Sequence, residues 1–298
     1  MSIDPALAAA LRELGPTQNL SAVQALYEPW RLQQPRGGVA VHTDEAYGPH
    51  PRHRLDRYVP TRRGTHPLLV WLHGGGFVRG DKAQRANIGY WGAREGFVTV
   101  LPNYRLAPED RWPSGAEDVV LVWRWLQAHA RHFAGDPERI VLAGESAGAA
   151  HVAAATLLRR FQPASWQIAG AVLLSGPYNP RLEGLARNQF GIATPDPRND
   201  AYFGAEPSVW GAASVVDHID AAPFPLWIGF AERDLLQMQV QAGELFARLV
   251  SRHGFAPELR MLREHNHFSS GYSIGTEDTS ASQPVADFVR SCTTVAEV

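Results

Sequence analysis

VLAGESAGAAHVAAATLLRRF occupies positions 141–161, and the fold turns on how it is read. An apolar run leads into Gly144-Glu145-Ser146-Ala147-Gly148, and an alanine-rich stretch follows. The five residues are either an ordinary tight turn or the seat of a reactive hydroxyl. No phosphate-loop lysine follows, so a nucleotide cradle is a poor match. A strand, then G-x-S-x-G, then a helix is the context of a nucleophile elbow. There the serine stands on a sharp turn and its neighbours must be small, which Gly144 and Gly148 are. Its hydroxyl then faces the N-terminus of the next helix, where negative charge is favoured.

Outward from that turn, short apolar runs alternate with helical patterns. Runs at 67–75, 97–105, 139–144, 168–176, 225–232 and 257–264 read as strands. They are apolar on both faces, as buried strands of a mostly parallel sheet are. Helical patterns at 115–133, 147–161, 237–254 and 282–291 fill the gaps. The expected fold is α/β, a doubly wound and mostly parallel sheet in one domain spanning 1–298. GVAVHT and RHRLDRYVP, before residue 67, are candidates for leading antiparallel strands. MSIDPALAAALRELGP reads as a small amphipathic helix and lacks the basic start of a signal peptide. Residues 178–224 break the rhythm and are long for a connection. Their aromatics, Phe190, Tyr202, Phe203 and Trp210, suggest a lid over a substrate pocket rather than surface decoration.

A serine needs a base, and the base needs a partner that orients it. GFAERDLL supplies Asp234 past the fifth strand, with Glu232 as the alternative. REHNHFSSG supplies His267 past the sixth, with His265 as the alternative. Asp234 and His267 are preferred because each lies further into its loop. The order Ser, Asp, His is that of the α/β-hydrolases. His73-Gly74-Gly75-Gly76-Phe77 follows the first strong strand. The N–H groups of Gly75 and Gly76, with that of Ala147, are candidates for an oxyanion hole. His73 is expected to anchor that loop rather than act as a base. Glu145 is expected to bond to the lid or the helix behind it. Phe77 with the lid aromatics suggests a closed, apolar pocket for short acyl or aryl groups.

The chain of 298 residues is 45% hydrophobic and carries a formal net charge of -2. It has no basic block, which argues against nucleic acid or an anionic membrane as partner. No run is long and apolar enough to span a bilayer. One cysteine, Cys292, allows no internal disulfide, and there is no Cys/His spacing for a metal. A cytoplasmic location is expected. The sequence leaves a homodimer open.

HGGGF, NYRLAPED (103–110) and GESAG together resemble the bacterial hormone-sensitive-lipase-like carboxylesterases of the α/β-hydrolase superfamily. The resemblance runs from about residue 67 to the C-terminus. It implies a Ser146–His267–Asp234 triad, with Gly75, Gly76 and Ala147 as oxyanion donors. It also implies ester cleavage through an acyl-enzyme without a cofactor, and a cap to which residues 1–35 contribute. Arg105, Glu109 and Asp118 would be structural. The tail HNHFSSGYSIGTEDT is more similar to arylformamidase and feruloyl-esterase-like relatives, which keeps an amidase acting on N-formyl or N-acyl aryl amides as the alternative. A third reading is a non-catalytic binding protein on the same fold.

Overall fold

The computed structural model describes residues 3–16, 19–182 and 197–294. Among the described residues, eight strands form one sheet: β1 (Val39–Ala46), β2 (Arg54–Pro60), β3 (His66–Leu72), β4 (Val98–Pro102), β5 (Gly135–Glu145), β6 (Gly170–Leu174), β7 (Leu226–Arg233) and β8 (Glu258–Asn266). Their spatial order is β1-β2-β4-β3-β5-β6-β7-β8. The pairs β1–β2 and β2–β4 are antiparallel, and the remaining pairs are parallel. This is the α/β-hydrolase arrangement expected from the sequence.

The apolar runs are continuous because both sheet faces are covered. Leu68, Val70 and Leu72 join the core on one face, while Leu69 and Trp71 join the core on the other. Adjacent β5 divides in the same way, Ile140 and Leu142 against Val141 and Ala143. Alternate side chains of a strand point to opposite faces, so each strand feeds two cores.

The boundaries differ from expectation for local reasons. β3 stops at Leu72 because Gly75 (φ 150°) and Gly76 (φ 60°) turn the chain out of the sheet. The expected helix 115–133 is α-helical over Ser114–His129 and finishes as a 3-10 turn, Ala130–Phe133. Helix Ala86–Glu95 went unread because Gly89 and Gly92 dilute its pattern. A Cβ at those positions would lie 2.4 Å from the Tyr58 ring and 2.2 Å from Thr99 Oγ1, so the glycines let the helix sit on the sheet. Helix Leu20–Gln33 also lacked a clear pattern. With helix Pro5–Leu14 it buries Leu7, Leu11, Val23 and Tyr27 in a small core that includes Tyr272.

One topological feature positions the site. β3 is followed in sequence by β4 on one side, and the chain then crosses to β5 on the other side of β3. The loops leaving β3 and β5 therefore diverge at a switch point, where open α/β sheets form a crevice at the strand carboxyl ends.

Candidate active site

Ser146 ends that crevice's central turn, between β5 and helix Ala147–Leu157, at φ 52° and ψ -123°. The flanking glycines are there for space. A Cβ on Gly144 would stand 2.5 Å from the Gly148 carbonyl carbon, and one on Gly148 would stand 2.4 Å from Leu72 O. Both contacts are with backbone, which cannot move aside cheaply. The turn is so tight that it admits hydrogen alone at both positions.

Loops from β7 and β8 bring the acid and the imidazole to this serine. The Nδ1–H of His267 donates to Asp234 Oδ1 at 2.7 Å, and Nε2 lies 3.1 Å from Ser146 Oγ, placed to accept its proton. A carboxylate only accepts, which fixes this tautomer. Asp234 is 2% exposed, and its oxygens also accept from Ser175 Oγ (2.5 Å), Ala231 N (3.0 Å) and Leu235 N (2.9 Å). Burial alone would depress the His267 pKa, but the Asp234 charge and hydrogen bond outweigh it and hold the imidazole above its ordinary value.

The two alternatives serve elsewhere. His265 is fully buried, against Ser269 Oγ (3.0 Å) and Ser280 Oγ (2.7 Å). Glu232 Oε2 accepts from Glu264 N at 2.7 Å and ties β7 to β8. Asn266 Oδ1 accepts from the N–H of Phe268 and of Ser269, folding the loop that presents His267.

His73 is buried, its Nδ1–H donates to Gly74 O (2.7 Å), and it stacks on Tyr104 at 4.4 Å. Burial drives its pKa down to about 4, so it stays neutral and braces the glycine loop. Glu145 Oε1 accepts from Gly74 N (3.3 Å) and from Arg85 Nε. The Arg85 guanidinium lies 4.5 Å over the Tyr272 ring. Asp118 accepts from Arg105 N (2.7 Å) and Nε (2.8 Å) and faces His53 at 3.0 Å. Glu109 is exposed and makes no ion pair among the described residues.

A cavity of about 370 Å³ opens over Ser146 and His267. Gly75, Gly76, Phe77 and Ala147 line it, as do Leu20 and Gln24 of the second helix. Tyr202, Phe203 and Trp210 do not. Tyr202 stacks on the back of Phe77 at 4.4 Å, Phe203 packs edge-on to Phe77, and Trp210 lies beyond Phe203. Their large apolar surfaces found a core of their own (Phe77, Ala107, Ala147, Ala150 and Tyr202), so they support the pocket wall from behind. Phe190 lies outside the described residues. The wall itself is mixed, with Arg79, Arg198 and Gln237 beside Pro177, Leu235 and Met238. The sequence reading missed Ser175, Arg85 and Asn266. Ser175 had one signal, a small polar residue ending the strand next to β5; the other two had none short of the fold.

Residues 69–269 match a family model described as alpha/beta hydrolase fold. Among curated relatives, a probable isoprenylcysteine alpha-carbonyl methylesterase of Oryza sativa subsp. japonica is 35% identical over 144 residues, which is 45% of this chain and 34% of that protein. Carboxylesterase NlhH of Mycobacterium tuberculosis is 39% identical over 94 residues, 30% of this chain and 28% of that one. The matched stretch thus spans about a third of the length of these relatives. Among solved structures, a bacterial heroin esterase superposes with a TM-score of 0.77 at 24% identity, covering 98% of both chains. An esterase from the bacterial hormone-sensitive lipase family gives 0.70 at 22% identity, again over 98% of both.

Proposed function

We propose a serine carboxylesterase, starting from one fixed fact: this chain belongs to the alpha/beta-hydrolase family. The observation that carries the reading is the unbroken chain from Asp234 Oδ1 through His267 to Ser146 Oγ at the floor of a cavity. In this mechanism His267 Nε2 takes the Ser146 proton as Oγ attacks the acyl carbon. Asp234 keeps the imidazole oriented and stabilises its charged form. The N–H groups of Gly75, Gly76 and Ala147 hold the oxyanion. His267 then protonates the departing alcohol, and water repeats the cycle on the acyl-enzyme.

A cavity of about 370 Å³ lies at the small end of ligand sites, which favours short acyl chains or aryl groups over long lipids. Leu20 and Gln24 at its wall support a cap role for the N-terminal helices, and residues 178–224 are the candidate lid. The curated relatives reported above are named for ester cleavage, so the ester reading is taken over the amide one.

The test is a panel of initial rates on p-nitrophenyl esters of increasing acyl length and on phenyl acetate, with Ser146→Ala beside the parent. Short esters should be hydrolysed, rates should fall beyond medium acyl length, and the variant should lose turnover. Retained turnover in a clean, folded Ser146→Ala preparation would end the assignment. A preference for long chains would contradict the pocket.

A further inference from the structure

His265 and His267 stand two positions apart, and of the two it is His267 that bonds to Ser146. His265 is completely buried, which is costly for an imidazole unless its nitrogens are answered. Both are answered, and the bonds have a direction. Asp278 is buried and its carboxylate only accepts, so the Ser280 hydroxyl donates to Oδ1 at 2.5 Å. A hydroxyl has one proton to give. Ser280 Oγ therefore accepts from His265 Nε2–H at 2.7 Å. Burial lowers the His265 pKa and keeps the ring neutral. Its Nδ1 is thus an acceptor, and the Ser269 hydroxyl donates to it at 3.0 Å. With that proton committed, Ser269 Oγ accepts from Asn266 N at 2.8 Å. That N–H belongs to the peptide between His265 and Asn266, one step before His267.

The other end of this relay lies in the N-terminal helices. Tyr27 is fully buried on helix Leu20–Gln33, and its hydroxyl donates to Asp278 Oδ2 at 3.0 Å. The same hydroxyl is also in reach of Ser269, which closes the relay into a ring. Two further bonds tie the histidine loop to the same segment: Asn266 Nδ2 donates to Gly15 O at 3.4 Å, and Gln24 Nε2 donates to Tyr272 OH at 2.7 Å. Asn266 Oδ1 already closes the local turn, by accepting from Phe268 N and Ser269 N. The relay through His265 is therefore not needed to make the turn; it fixes where the turn sits. His265, Ser269 and Asp278 do not line the cavity over Ser146, so they reach the reaction only through the loop.

Resting on the esterase reading above, we propose that His265 is a positioning residue for catalysis: through Ser269 it sets the peptide that leads into His267, and through Ser280, Asp278 and Tyr27 it anchors that loop to the second helix. What is held is the 3.1 Å approach of His267 Nε2 to Ser146 Oγ and its 2.7 Å bond to Asp234. Proton transfer is steep in such distances, and a shift of about 1 Å can cost about a hundredfold.

Two substitutions at one position separate the halves of the relay. The amide of His265→Gln keeps an N–H donor near the place of Nε2 and loses the acceptor for Ser269. That of His265→Asn keeps an acceptor near the place of Nδ1 and loses the donor to Ser280. Ser280→Ala deletes one hydroxyl outside the loop. Each is compared with the parent on 4-nitrophenyl butyrate across pH, with near-UV circular dichroism as the check on folding. His267 titrates under burial and Arg198, which lower its pKa, and under Asp234 and Glu145, which raise it and prevail. His265→Gln should lower kcat about ten- to a hundredfold with KM little changed. It should also draw the acid midpoint of kcat/KM down, as His267 slips from Asp234. Ser280→Ala should move both quantities the same way, and His265→Asn should recover most of the kcat lost in His265→Gln. A parental kcat or a parental midpoint in folded His265→Gln and Ser280→Ala would make His265 structural only and overturn the proposal, with the esterase left standing. If His265→Gln does not fold, Ser280→Ala decides by the same two quantities. His265→Asn no more active than His265→Gln would overturn the link through Ser269. A folded parent that hydrolyses no ester would remove the esterase reading, and the proposal with it.

Discussion

Ser146 carries a backbone conformation, φ 52° and ψ -123°, that side-chain-bearing residues rarely adopt and that costs on the order of 1–3 kcal/mol. The return is an Oγ that stands clear of the helix and 3.1 Å from His267 Nε2. The imidazole must be neutral to accept the proton. Because Asp234 holds the His267 pKa above its ordinary 6.5, the protonated, inactive form persists to higher pH than a free histidine would allow. The acid limb of kcat/KM for an uncharged ester should therefore have its midpoint above 6.5 and fall about tenfold per pH unit beneath it. A pH–rate profile measures this, and a midpoint at or below 6.5 would contradict the Asp234–His267 coupling. The same raised pKa stabilises the fold at low pH, below the unfolded value. That contribution is lost as pH rises through the folded one.

At the scale of elements, the site depends on three loops that are held against one another. Glu145 and Arg85 join two of them, because Glu145 Oε1 takes the N–H of Gly74 and the Arg85 guanidinium. The third is packed on the same pair: Tyr272 covers Arg85, and a Cβ on Gly271 would lie 1.9 Å from Glu145 Oε2. Both ion-pair partners are nearly buried, 7% and 8% exposed. Removing one strands the other's charge, which typically costs about 3–5 kcal/mol. Glu145→Ala should lower unfolding stability by that order in denaturant titration and slow turnover by releasing Gly74; unchanged stability would mean the pair is dispensable. This clamp also marks the limit of sequence reading. The elbow, the Asp and His loops and the glycine loop are local patterns, so GESAG, HGGGF and the strand runs were legible. Arg85 and Glu145 lie sixty residues apart, and nothing in either neighbourhood announces the other. The lid aromatics failed for the opposite reason. Composition marked Tyr202, Phe203 and Trp210 as a surface for ligand, but a large apolar ring packs equally well behind a wall as in front of it.

At the scale of the whole molecule, the sheet brings distant stretches to one crevice. Residues from the second helix (Leu20, Gln24), the β3 loop, the elbow, the 197–203 helix and the β7 and β8 loops meet around about 370 Å³. The order of strands at the switch between β4, β3 and β5 makes that meeting possible; continuous apolar runs make the strands themselves readable in the sequence, while their order comes only from the fold. In the proposed function, this whole assembly serves to make Ser146 a nucleophile. The measurement that tests it most directly is labelling of the folded protein with a fluorophosphonate, followed by mass mapping of the adduct. One stoichiometric adduct is expected, on Ser146, abolished by His267→Ala. A folded protein that takes no label, or takes it on another residue, would contradict it.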